Sequence, residues 1–280
     1  MALDTLCIVL FAALLHAAWN ALIKSGSDKL LNSLLLCVCG GILALLVLPF
    51  LPLPAAVSWP YLMTSAAIHV AYFSLLALAY GVADMSFAYP LMRGTAPLFT
   101  ALIATLALGE PLAFGGWLGV TLLCAGVVAL ALDSRRAVHL PRRAWGFVLC
   151  NAAVIVGYTV IDGAGVRVSG NAWSYVFWLY ALTAVPMLAI AWALRGKAMV
   201  RLSRGAWAKG FIGSACSIGA YGLALWAMTQ APIALVAALR ETSVLFGAVI
   251  AALWLHEKFG RVRWLAAAFV VAGVAAMKLL

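Results

Sequence analysis

The chain has 280 residues, 67% of them hydrophobic and 9% charged, with a net charge of +10 and a mean hydropathy of +1.12. These proportions exclude an ordinary soluble domain, in which about a quarter of the residues are charged. The basic excess sits in short connections between apolar runs, which reads as membrane topology and argues against nucleic acid as a partner.

Ten apolar runs follow one another, at 3–23, 30–52, 59–80, 85–108, 113–132, 144–163, 172–194, 208–229, 232–255 and 262–279. Each is near the length needed to cross a hydrocarbon core of about 30 Å, and none shows the short alternation of barrel strands. An all-α integral membrane protein is predicted. The first run has Asp4 and no basic residue ahead of it, and it continues through His16, Asn20 and Lys24 without a clear cleavage site. It therefore reads as a span rather than a signal peptide. Those three polar residues recur every four positions with Trp19 beside them, a stripe that would be costly against lipid and so faces a cavity or a neighbouring helix.

In the second run Cys37 and Cys39 point in different directions on a helix and make a poor metal pair. With Cys7, Cys124, Cys150 and Cys216 they read as packing residues, and no metal or cofactor is expected. The third run brings His69 and Tyr72 together, three residues apart. His16 and His69 titrate near neutrality when unperturbed, so both are proton-coupling candidates, with an interhelical hydrogen bond as the alternative for each.

The fourth run carries Arg93 well inside it. A charge at the centre of a membrane helix costs roughly 2.5–3.5 kcal/mol even on the lenient insertion scale. Tyr89 lies one turn before Arg93 on the same face, while Pro90, Gly94 and Pro97 weaken the surrounding helix and mark a candidate hinge. Small residues at Gly115 and Gly119 in the fifth run, and Ala268 and Ala272 in the tenth, predict close helix packing. In the sixth run Asp162, next to Gly163, is expected at a solvated outer end, and Tyr158 one turn earlier is the better cavity candidate. The eighth run adds Tyr221 and Trp226. The ninth carries Arg240 followed by Glu241, the only carboxylate deep within a run. Adjacent helical residues diverge by about 100°, so Glu241 is expected to face another helix rather than bridge to Arg240.

The fourth and ninth runs echo each other. Arg93 and Arg240 are 147 positions apart, as are Thr95 and Thr242, Leu98 and Leu245, Phe99 and Phe246, Glu110 and Glu257, Trp117 and Trp264, and Gly126 and Gly273. The chain thus divides into a first five-span repeat over 1–132, a basic connection over 133–143 and a second repeat over 144–280. Five is odd, so the second unit enters the membrane from the opposite side, which gives an inverted repeat of the kind secondary transporters use. Alternate loops on one side collect fourteen basic residues, and the side holding both termini has two, Arg167 and Lys278. By the positive-inside rule the rich side is cytoplasmic and both termini face outward.

The ten short spans, the Leu108-Gly109-Glu110 and Leu255-His256-Glu257 steps, the Gly- and Ala-rich spans after them, and His16-Ala17-Ala18-Trp19-Asn20 together resemble the EamA-type members of the drug/metabolite transporter superfamily. The resemblance covers nearly the whole chain. It implies a basket of helices around a central cavity lined by spans 1, 3, 4, 6, 8 and 9, with alternating access. Many such relatives keep their termini cytoplasmic, whereas the charges here place them outside, in what is expected to be a bacterial inner membrane. Sugar-phosphate carriers of the same superfamily hold phosphate with basic residues on corresponding helices.

Two converging guanidiniums form a fork-shaped receptor for a carboxylate, phosphate or phosphonate. The expected function is secondary transport of a small polar metabolite with an anionic or zwitterionic group, held by Arg93 and Arg240. Glu241, Trp19, Asn20, Tyr72, Tyr89, Tyr158, Tyr221 and Trp226 complete the predicted site, and Glu241 is a third proton-coupling candidate. The same arginines also fit a structural gate, with Arg240 paired to an acid. A second reading is an exporter of lipophilic cations that uses the aromatics and Glu241. A third is an intramembrane enzyme or assembly factor, yet HExxH, GxSxG and P-loop motifs are absent and no enzyme is expected. The partners expected are the substrate and the bilayer, with the protein a monomer or homodimer.

Overall fold

A computed structural model of the protein describes residues 1–24, 29–82, 85–135, 142–196, 202–255 and 260–279, with side chains described outside 23–30, 76–90, 131–144, 197–201, 248, 251–259 and 280. Among these residues there is no strand. The helices are α1 (Leu3–Lys24), α2 (Lys29–Val47), α3 (Trp59–Val82), α4 (Met85–Ala107), α5 (Phe114–Arg135), α6 (Arg142–Arg167), α7 (Ala172–Arg195), α8 (Arg204–Met228), α9 (Ile233–Arg240), α10 (Ser243–Leu255) and α11 (Arg261–Leu279). An apolar run in lipid must satisfy its backbone polar groups internally, and helices do so within the segment. Their ends carry local signals: the Asn171 side chain accepts from Ser174 N–H at the start of α7, and Gly196 closes that helix at φ 44°. Six helices among the described residues are long and apolar enough to cross a membrane.

The bundle is apolar on its outer surface, unlike a soluble protein, and holds a few charged side chains inside an otherwise apolar core. Phe11, Leu45, Leu106, Phe114, Val185 and Trp264 lie on the outer surface, while Arg93, Asn151, Asp162, Arg240 and Glu241 are buried. α5 packs on α11, α1 on α8, α3 on α6, α2 on α7, and α4 on both α5 and α6.

Contacts across α5 and α11 are made by backbone. A Cβ on Gly119 would lie 2.6 Å from the Gly273 carbonyl oxygen, and one on Gly126 would lie 2.9 Å from that of Ala266. Gly119 and Gly126 have Ala266 and Gly273 as their partners at the 147-residue offset, so the two crossings exchange under the repeat. The seam departs from the sequence expectation, since Ala268 and Ala272 are exposed on the outer face of α11. Spacing alone shows which small residues share a face; it does not show which face meets a neighbour.

The ninth run is the one that breaks. It divides into α9 and α10 at Glu241-Thr242, whereas α4 continues through Pro90 and Pro97 as one helix. Around the break the N–H groups of Glu241, Thr242, Val244 and Leu245 donate to the residue three back rather than four, at 3.0–3.1 Å. Thr242 Oγ1 also donates to the Leu239 carbonyl at 2.7 Å. A side chain competing for a helical carbonyl favours this tighter winding. Gly94 is a packing contact with α5, since a Cβ there would lie 2.9 Å from Val127 Cγ1. Pro97 is buried in the wall of a small second cavity, and the side chains of Tyr89 and Pro90 lie outside the described residues.

At one rim, Glu110 ties three segments together. Its carboxylate pairs with Arg167 at the end of α6, and its Oε2 accepts the Ile233 N–H at 2.9 Å, at the start of α9. Arg167 in turn donates from Nε to the Met228 carbonyl at 2.7 Å and from Nη2 to that of Ala231 at 3.0 Å. An anion at a helix N-terminus and a cation on terminal carbonyls both satisfy groups the helices leave open. Glu110→Gln is expected to cost about 1.5–3 kcal/mol, the loss of charge-assisted hydrogen bonds, and a thermal unfolding series in detergent measures it.

Candidate functional site

The central feature is a cavity of about 70 Å³ whose wall includes His16 and Trp19 of α1, His69 and Tyr72 of α3, Arg93 of α4, Tyr158 of α6, Tyr180 and Thr183 of α7, Ser217 and Tyr221 of α8, and Arg240 at the end of α9. Both predicted arginines therefore reach one space from two halves of the chain. A second cavity of about 10 Å³ adjoins Arg93, Tyr158, Arg240 and Glu241.

The arginines differ in their partners. Arg93 makes a two-pronged pair with Glu241, from Nε to Oε2 at 2.9 Å and from Nη2 to Oε1 at 2.6 Å. Both side chains are buried, so the pair is a desolvated, geometrically matched fork that joins α4 to the α9–α10 break. Glu241 faces another helix, as its divergence from Arg240 predicts. Arg240 has no carboxylate within salt-bridge distance among the described residues. Its Cζ lies 5.0 Å from the centroid of the Tyr221 ring, a cation–π distance. The gate arrangement in which Arg240 holds the acid is thus reversed: the acid goes to Arg93.

Aromatic side chains form much of the wall. The His69 ring lies 4.5 Å from that of Tyr158 and 5.7 Å from that of Tyr221, and the Tyr72 ring lies 5.7 Å from that of Tyr158. His16 meets Trp19 edge to face at 4.9 Å. His69 Nδ1 lies 2.9 Å from the Ser65 carbonyl oxygen and 3.1 Å from Ser65 Oγ. Three described residues of the predicted site fall outside this wall, among them Glu241, which lines only the smaller cavity. Asn20 turns back on its own helix, donating from Nδ2 to the His16 carbonyl at 2.8 Å, and Trp226 packs against the hydrophobic core.

The sequence reading passes over Tyr180, Ser217 and Thr183. Tyr180 and Ser217 hydroxyls are 2.8 Å apart, and Trp19 Nε1 and Thr183 Oγ1 are buried without a hydrogen-bond partner among the described residues. Uncommitted polar atoms in a cavity wall supply contacts for a polar occupant. One signal was present at the sequence level. Ser217 and Tyr221 are four apart and so share a face of α8.

Asp162 lies inside the bundle and not at a solvated outer end. It is fully buried, because α6 continues past it to Arg167. Gly163 and Gly165 let neighbouring side chains close over it. A Cβ at Gly163 would meet Ile233 at 2.6 Å, and one at Gly165 would meet Tyr175 and Tyr61 at 2.6 Å. Tyr175 O–H donates to Asp162 Oδ1 at 2.9 Å, and Tyr221 O–H donates to Oδ2.

Compared with known proteins, residues 143–279 match the sequence profile of the EamA-like transporter family. No curated protein matches the chain. A solved structure described only as the crystal structure of a protein superposes with a TM-score of 0.77, covering 100% of this chain and 98% of its own, at 19% sequence identity. That likeness concerns the fold.

Proposed function

We propose that this protein, whose residues 143–279 match the EamA-like transporter family, is a membrane carrier of the drug/metabolite type that moves a small polar metabolite by secondary active transport. The substrate carries an anionic or zwitterionic group, amino-acid-like or phosphonate- or phosphate-bearing, and the anionic end sits on Arg240. One observation carries this reading: the main cavity is lined by two arginines and, among the described residues, by no carboxylate. A buried guanidinium with no carboxylate in salt-bridge range among the described residues gains from an incoming anion. Arg93 then adds a hydrogen-bonding edge, and the aromatic wall receives the organic part. The cation-exporter reading loses its main support, because Glu241 is already committed to Arg93.

The ten-span inverted repeat is part of the same proposal. The paired crossings of Gly119 with Gly273 and of Gly126 with Ala266 support it, as do α1 on α8 and its counterpart α3 on α6. Alternating access then follows from rocking one repeat against the other, with both termini outside a bacterial inner membrane.

The test is a thermal-shift screen of purified protein with phosphonoacetate, inorganic phosphate, aromatic and aliphatic amino acids and quaternary ammonium compounds. Anionic or zwitterionic compounds are expected to stabilise the wild type and to lose at least about tenfold in affinity in Arg240→Gln, the cost of one charge-assisted contact. Stabilisation by quaternary ammonium compounds alone overturns the reading.

A further inference from the structure

Asp162 has no part in the function just described, yet it is the most enclosed acid among the described residues. Its relative exposure is 0%. Three elements surround it: α3 brings Ser65 and His69, α7 brings Tyr175, and α8 brings Tyr221. No cation forms a salt bridge with it among the described residues, and it does not line the cavity. Substrate therefore reaches Tyr221 and His69 without reaching Asp162.

Opposing effects meet at this carboxyl. Burial in a membrane protein favours the neutral form, whereas donated phenolic hydrogens favour the ionised one. Such a group is suited to change its protonation state. Tyr221 connects it to the site, because its hydroxyl donates to Asp162 and its ring carries the Arg240 guanidinium. With Asp162 ionised, the buried charges of Arg93, Arg240, Glu241 and Asp162 cancel. With Asp162 protonated, the cluster holds one net positive charge, which favours an anion.

We propose that Asp162 is a proton-binding site linked through Tyr221 to Arg240, so that a proton and an anion bind together and travel in the same direction. The linkage to an anion rests on the reading of Arg240 given above. Entry from the cavity balances as a relay: as an O–H bond forms at Asp162 Oδ2, that of Tyr221 breaks, and the phenolic oxygen takes a replacement proton from a hydronium ion in the cavity, which is left as water. Linkage is reciprocal, so bound anion raises the proton affinity of Asp162 by the same factor that the proton raises anion affinity.

Infrared difference spectroscopy of the full chain in liposomes tests this. A protonated-carboxyl band is expected to grow as pH falls and to vanish in Asp162→Asn. If that variant does not accumulate, isotopic labelling of aspartate carboxyl carbons in the wild type makes the assignment. In Arg240→Gln the band is expected to persist to higher pH by about one unit, the effect of removing a nearby positive charge. An aspartate band that does not titrate overturns the proton site, and a titration unmoved in Arg240→Gln overturns the linkage. Phosphonoacetate is the anion probe. Its failure to bind, with no other anion binding, sinks the reading of the cavity, while the band still decides the proton site.

Discussion

Arg93→Ala is expected to destabilise the protein by about 3–5 kcal/mol, because it strands the Glu241 carboxylate in a dry interior. Glu241→Ala should do comparable damage by stranding the guanidinium. The double variant Arg93→Met/Glu241→Leu, which removes both charges and keeps apolar volume, is expected to recover most of the loss. A buried pair owes its apparent worth largely to the damage of breaking it, and isosteric apolar replacements are often neutral. Unfolding midpoints in detergent, arranged as a double-mutant cycle, measure the coupling. Additive losses would mean that the two side chains stand apart in the folded protein. Arg240→Gln offers the contrast: with no carboxylate partner to strand, it should cost no more than the roughly 0.5–2 kcal/mol of a cation–π contact.

Gly119→Val should be the most damaging apolar substitution, with a cost of about 3 kcal/mol or more. Overpacking usually costs about 1–3 kcal/mol when side chains can yield. Here a new Cβ meets the Gly273 carbonyl at 2.6 Å and Met277 Cγ at 2.3 Å, and the backbone carbonyl has nowhere to go. Ala268→Val, on the exposed face of the same helix pair, is the control and should leave the midpoint within about 0.5 kcal/mol. Equal effects at the two positions would place the seam elsewhere.

Much of the site was legible because the membrane makes charge expensive. Arg93, Arg240 and Glu241 stood out from their apolar surroundings, and the structure gathers all three around adjoining cavities. His69, Tyr72 and Tyr158 followed from helical spacing. What spacing cannot supply is the neighbour. Asp162 looked like the end of a span because a charge closes an apolar window, yet Gly163 and Gly165 let other elements press against α6 beyond it. The partition of the acid between the two arginines was hidden for the same reason, since it depends on which helix stands opposite Glu241. Prolines drew attention to α4, whereas the actual break, in the ninth run, is set by side-chain and backbone hydrogen bonding at Thr242.

Arg240 and Glu241 are consecutive residues at that break. Their Cα atoms are about 3.8 Å apart, yet one side chain reaches the cavity and the other clasps α4. The residue that receives a solute and the residue that fastens opposite parts of the chain are thus links of one short thread. A pull on the first is transmitted to the second without any intervening packing, as a load on a hook reaches the stitch that anchors it.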